Sequence, residues 1–155
     1  LKFAGSLNSE INISGNRHSF KFKNKLELTK TGYEFKGVFS KKENFSNEFE
    51  IEGIYTKKEG ILADRIKFTL GNNSVRGEAT VKSLSDPEYF IKLDGVGLEV
   101  NEVKTFVNFF KNNTGGKIDF NISGQGTLSQ QEDALFKGSA VLKNLVFKWE
   151  DRKIR

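Results

Sequence analysis

At 155 residues the chain is long enough for one domain with a core, or for one segment of a larger array; 36% hydrophobic, 12% aromatic and 29% charged residues describe a half-solvated protein. No Cys and no Met exclude a disulfide framework and thiol chemistry, and no apolar run approaches the length of a membrane span. The net charge of +5 suits anionic partners such as lipid headgroups, lipopolysaccharide or nucleic acid, but Lys and Glu are spread along the chain rather than clustered, which is the pattern of a solvated strand face.

In chain order, alternation of apolar and polar residues dominates and predicts half-buried antiparallel strands. Leu1, Phe3, Gly5 and Leu7 share a face; Ile11, Ile13 and Gly15 follow the Asn8-Ser9 turn. Phe20, Phe22, Leu26 and Leu28 alternate with lysines, with Asn24 interrupting the apolar side as at a bulge or an exposed stretch. Tyr33, Phe35, Gly37 and Phe39 read as one strand, then Lys41 to Asn44 as a polar turn, then Phe49, Ile51, Gly53 and Tyr55 as the next strand. Ile66, Phe68 and Leu70 lead into Gly71-Asn72-Asn73, a hairpin signal, from which Val75, Gly77, Ala79 and Val81 return. After Asp86-Pro87, Tyr89, Ile91, Leu93 and Gly95 begin a strand whose phase flips to Val96, Leu98 and Val100, as a bulge or turn at Gly95 to Gly97 requires.

One stretch does not alternate. In residues 101–111, Val103, Phe106, Val107 and Phe110 fall at helical spacing, with Asn101 as N-cap and Glu102 at the positive end of the dipole, which predicts a helix of about three turns. Ile118, Phe120 and Ile122, and then Phe136, Ala140 and Leu142, form the last two strands. The expected fold is therefore mainly β: an antiparallel meander of about ten strands plus one short amphipathic helix, with no βα alternation.

Apolar-x-apolar-x-Gly recurs along these strands, ending at Gly5, Gly15, Gly37, Gly53, Gly95 and Gly124, and more weakly at Gly77 and Gly138. Glycine inside a strand costs about 0.5–1 kcal/mol relative to alanine. Repeated, it predicts sharp bending, so Gly37, Gly53, Gly77, Gly95, Gly124 and Gly138 are the expected crease of a half-pipe, taco-like sheet. Left open along its edges, such a sheet would present Phe, Ile and Leu to a trough long enough for acyl chains. Ten strands of eight residues make a surface of roughly 26 by 48 Å.

Catalytic chemistry finds no support. His18 is the lone histidine, flanked by Arg17 and Lys21, and supplies neither a triad nor a metal site. Asp64, Asp86 and Glu88 are not brought together by any motif, and Gly95-Val96-Gly97 and Gly124-Gln125-Gly126 lack the rest of a dinucleotide fingerprint. Neither enzyme activity nor a cofactor is expected. Phe20-Lys21-Phe22-Lys23 puts rings and ammonium groups on opposite faces, which argues against nucleic-acid binding.

GLEVNEVKTFVNFF, GGKIDFNISGQGTL and FKGSAVLKNLVFKW, together with IKFTLGNNSVRGEATVKSLSDPEYFIKLDGVGLEV upstream, resemble the AsmA-like family of AsmA/TamB-type envelope proteins over about residues 61–150. The resemblance implies a single β-rich segment, residues 1–155, of a longer protein similar to bridge-type lipid transfer proteins. It further implies the periplasm of a diderm bacterium, a parent anchored in the inner membrane through regions outside this chain, and a part in phospholipid transport to, or maintenance of, the outer membrane. On this view Phe35, Phe49, Ile51, Phe68, Ile91, Leu93, Phe120, Ile122, Phe136 and Leu142 line the groove for a phospholipid or other acyl lipid, and Val103, Phe106, Val107 and Phe110 cap or plug it. Trp149 is a groove residue or packs on a continuation of the chain. Two alternatives remain open: an envelope assembly or interaction scaffold acting through sheet edges on other envelope proteins, and a self-contained β-barrel or sandwich lipid carrier.

Overall fold

The computed structural model describes residues 2–35, 39–83, 85–104, 106–107 and 113–147. Gly37, Phe110 and Trp149 therefore lie outside the described residues. In chain order the elements are β1 (Lys2–Gly5), β2 (Asn8–Asn16), β3 (Ser19–Glu27), β4 (Thr31–Phe35), β5 (Phe39–Lys41), β6 (Asn47–Thr56), β7 (Gly60–Leu70), β8 (Asn73–Lys82), β9 (Glu88–Glu99), α1 (Val100–Val103), β10 (Asn113–Thr127) and β11 (Gln130–Phe147). Eight strands form one antiparallel sheet in the order β11-β10-β9-β8-β7-β6-β3-β2, and β1, β4 and β5 form a small second sheet in the order β1-β4-β5. The predicted meander is thus present. β2 and β11 each pair on one side only, so the large sheet is open and does not close into a barrel.

Three departures from strict alternation are absorbed by bulges. Ala63 and Ile66, Gly95 and Leu98, and Leu142 and Leu145 are each spaced by three, yet each pair keeps to one side of the sheet, because the register slips by one residue between them. Gly97 takes φ +66 in the second slip and Asn144 takes φ 50 in the third, the left-handed backbone such a bulge needs. The phase flip read at Gly95 to Gly97 is the second of these. At Asn24, by contrast, the register runs unbroken from Ile11 to Ile51, so the expected bulge does not form.

Two expectations are corrected. The strand read through Tyr33, Phe35, Gly37 and Phe39 is two short strands, β4 and β5, paired with each other through Phe35 and Phe39 and lying in the small sheet. Of the helix predicted over 101–111, the described helical part is Val100–Val103, with Glu99 rather than Asn101 at its N-cap and no side-chain cap bond; residues 105 and 108–111 lie outside the described residues. The N–H groups of Phe106 and Val107 both donate to the Val103 carbonyl, while the Phe106 carbonyl accepts from Ser40 N–H of β5 at 2.8 Å. Glu102 stands in the first turn of α1 as expected, and its carboxylate also accepts from the Asn72 N–H and side-chain amide, both at 2.7 Å, pinning α1 to the β7–β8 turn.

What core there is gathers at that end of the large sheet. Leu98, Val100 and Ile118 are buried together, with Val75, Val103, Phe120 and Leu145 packed against them. Buried polar groups there are stitched. Asn47 accepts from the Tyr33 hydroxyl at 2.9 Å and donates to the Thr69 carbonyl at 2.8 Å, and Asn73 exchanges two bonds with the Glu99 backbone. Burial pushes the Tyr33 phenol up to about 12.

Candidate functional site: the uncovered apolar face

Register fixes which side chains share a face, since partners across antiparallel strands project to the same side. Phe49, Phe68, Val75, Gly95 and Phe120 stand in one row across β6 to β10. The next row runs Ile51, Ile66, Gly77, Leu93, Ile122 and Gly138, and the one after it Ala79, Ile91, Gly124 and Phe136. Leu142 joins Ile118 and Leu98. Nine of the ten predicted groove residues therefore share one face of the large sheet; Phe35 belongs to β4 in the small sheet.

The same face continues onto β3 and β2 through Leu26 opposite Phe49, Phe22 opposite Gly53 and Ile13 opposite Phe22. Tyr55 and Phe20 extend it, their rings 4.9 Å apart. These residues were legible as strand positions; their place on the candidate face needed the strand order, which skips β4 and β5 to put β3 beside β6.

Cover varies across this face: Ala63, Ile66, Leu98 and Ile118 are buried and Phe49, Ile51, Phe68, Ile91, Leu93 and Phe120 half-buried, whereas Ile122 is 43% exposed, Leu142 47% and Phe136 68%. At the end near the β7–β8 turn Phe106 packs on Phe68 with centroids 6.1 Å apart and edge-on to Tyr33 at 5.8 Å. Val103 joins the buried cluster beside it. Of the predicted cap residues, Phe106 and Val103 thus sit at one end of the face.

Gly95 and Gly124 are seats for cross-strand rings, whereas at Gly53, Gly77 and Gly138 it is neighbouring backbone that a Cβ would meet first. A Cβ on Gly95 would lie 2.5 Å from the Phe120 ring and one on Gly124 2.7 Å from the Phe136 ring. They do not form the single line expected of a crease: Gly77 and Gly95 are diagonal neighbours on β8 and β9, and Gly124 and Gly138 on β10 and β11. A glycine beneath a cross-strand ring lets the ring lie flat over the backbone, which is the physical reason they scatter with the bulky residues.

The opposite face is a ladder of neutralising charges. Lys25 pairs with Glu48 at 2.7 Å, Lys23 with Glu52 at 2.7 Å, Arg65 with Glu52 at 3.4 Å, and Lys143 with Asp119. Hydrogen bonds from Lys25, Lys23 and Lys143 respectively lower the pKa values of Glu48, Glu52 and Asp119. The spread of Lys and Glu seen in the sequence is this ladder. His18 lies in the β2–β3 turn, accepting from Arg17 Nε at 3.0 Å. Among the described residues no cluster of His, Cys, Asp or Glu could hold a metal, and no helix is long and apolar enough to cross a membrane.

Comparison with family models, with curated proteins and with solved structures returns no match. The feature of the chain that bears on function is the asymmetry of the two faces.

Proposed function

We propose that the chain is a segment of an AsmA-like envelope protein whose apolar face carries the acyl chains of phospholipid between the membranes of a diderm bacterium, serving transport to, or maintenance of, the outer membrane. The segment works in the periplasm, as part of a parent anchored in the inner membrane by regions outside this chain. The observation that carries the proposal is the continuous apolar face spanning eight strands, open to solvent on β2, β10 and β11, on a sheet whose other face carries a run of ion pairs. A patch of that size on a protein without a partner favours aggregation, whereas acyl chains match it without any demand for directional bonds.

The mechanism is passive and needs no catalytic group. Acyl chains lie along the rows built by Phe68, Leu93 and Ile122, and headgroups stay in water at the rim. Burying a side chain such as Phe136 fully against lipid recovers up to about 1.5–3 kcal/mol. No single contact orients the chain along a row, so sliding between neighbouring positions costs little.

The reading is tested by purifying the protein without detergent and extracting it for acyl lipids. Bound phospholipid is expected, and Leu93→Asp, which sets a charge in the middle of the face, is expected to lower the lipid-to-protein ratio severalfold while the strand signal in circular dichroism persists. Equal lipid in wild type and variant would contradict it. The scaffold alternative keeps one observation in its favour, the unpaired edges at β2 and β11.

A further inference from the structure

At the end of the large sheet opposite α1 lie the β2–β3 turn, Arg17 and His18, and the β6–β7 turn, residues 57–59. They are neighbours because β3 pairs with β6, which sets successive turns about 10 Å apart. The Lys57 N–H donates to the His18 carbonyl at 2.8 Å, carrying the β3–β6 register one position past Ser19 and Thr56. No bulge interrupts that pairing, so His18 and Lys57 follow Phe20 and Tyr55 on the apolar side of the sheet. Arg17 donates from Nε to the His18 ring at 3.0 Å, which holds its guanidinium beside that pair and leaves its terminal nitrogens for another acceptor.

Charge at this rim is not balanced. On the polar face Lys23, Lys25, Lys117 and Lys143 each meet a carboxylate. Among the described residues Arg17, Lys57 and Lys58 form no ion pair, and all three are exposed. Glu59 is the one carboxylate of the two turns. Further along the same end, residues 83–87 and the β10–β11 turn, Leu128 and Ser129, carry no cation, and Lys82 stands opposite Glu88 in register.

Cations set directly beyond an aromatic pair match an anion joined to an apolar tail. The half-buried rings of Phe20 and Tyr55 are continuous with Phe22 and Ile13 on the same face. Guanidinium and ammonium groups bind phosphate oxygens strongly, arginine by a two-pronged bond. A nucleic-acid strand also carries phosphate, but it needs rings that stand free for bases to stack on. Here the two rings lean on one another, 4.9 Å apart, above aliphatic side chains that offer base edges no partner.

We propose that Arg17 and Lys57, with Lys58 beside them, bind the phosphate of an anionic phospholipid whose acyl chain begins on Phe20 and Tyr55. The site rests on the lipid groove proposed above and adds a headgroup preference to it. Surplus positive charge at the rim favours a headgroup of net negative charge over a zwitterionic one.

The test loads the chain from vesicles of equimolar phosphatidylglycerol and phosphatidylcholine, separates it from them and extracts its lipid. Wild type is expected to hold phosphatidylglycerol severalfold over phosphatidylcholine. Arg17→Glu with Lys57→Glu is expected to abolish that preference while total acyl lipid per chain persists. Lys30→Glu with Lys42→Glu, the same charge change at the other end of the sheet, is expected to retain it. A preference that survives the first pair, or is lost equally in the second, would overturn the headgroup site and leave the groove standing. A wild-type chain that takes up no lipid would overturn the groove and the site with it. Tighter binding of a single-stranded oligonucleotide than of the vesicles, or loss of the preference in inorganic phosphate at matched ionic strength, would assign the cations to another phosphate and overturn the proposal. If the first pair fails to fold, Lys58→Glu decides, with a smaller loss of preference expected and no loss overturning the site.

Discussion

Lys41 shows how one side chain ties β5 to the β3–β4 turn. It is 4% exposed, and its ammonium donates to the carbonyls of Leu28 at 2.9 Å, Thr29 at 3.2 Å, Thr31 at 2.6 Å and Lys42 at 3.2 Å. Burial pushes its pKa down, while four acceptors favour the charged form. Lys41→Met keeps the stem but leaves the carbonyls without their donor, and should cost on the order of 2–3 kcal/mol in urea unfolding. In the sequence Lys41 reads as part of a polar turn, since lysines are rarely buried. Only the convergence of two chain segments, 28–31 and 41–42, on one point reveals its role.

The carboxylates of the polar face set a pH dependence. Glu48, Glu52 and Asp119 have folded pKa values below their unfolded ones, so their contribution is complete above the ordinary carboxylate range and is lost as pH falls through the lowered values. The urea midpoint should therefore hold steady near neutral pH and drop below about pH 4. Because Glu52 and Asp119 face solvent, salt should reduce the drop. A midpoint that rises on acidification would contradict the ladder.

At the scale of elements, alternation made β2, β3, β6, β8, β10 and β11 legible, because a one-residue error would turn each apolar set to the wrong side. β7 was half-hidden. Its first residues, Ile61 and Ala63, are out of phase with Ile66 and Phe68 until the bulge is known. Of the helical stripe, Val103 lies in α1, the Val107 N–H donates to the Val103 carbonyl, and Phe106 docks between two sheets. That docking is testable. Phe106→Ala removes the ring between Tyr33 and Phe68 and should cost about 2–4 kcal/mol, with the fastest-rising amide exchange in β4 and β5. Unchanged exchange there would mean the small sheet is held by Lys41 and Asn47 alone.

At the scale of the whole molecule, the chain is an amphipathic sheet rather than a wrapped core. Leu98, Val100 and Ile118 are buried together at one end, Ala63 and Ile66 are buried along β7, and the apolar side chains of β2 and β11 keep substantial contact with water. That nine of the ten predicted residues share one face could be read from the sequence, because a strand's face follows from parity alone. Phe35 could not, because parity does not say which sheet a strand joins. The glycines were legible as special positions, but their role as seats depended on the cross-strand partner, which only register supplies. A sheet of this kind must be covered by something other than its own chain, and the most direct measurement of what covers it is the native mass spectrum of protein purified without detergent. We predict masses above that of the polypeptide by whole phospholipids, released on denaturation. A spectrum holding only bare polypeptide, from a sample that remains soluble and folded, would contradict the account.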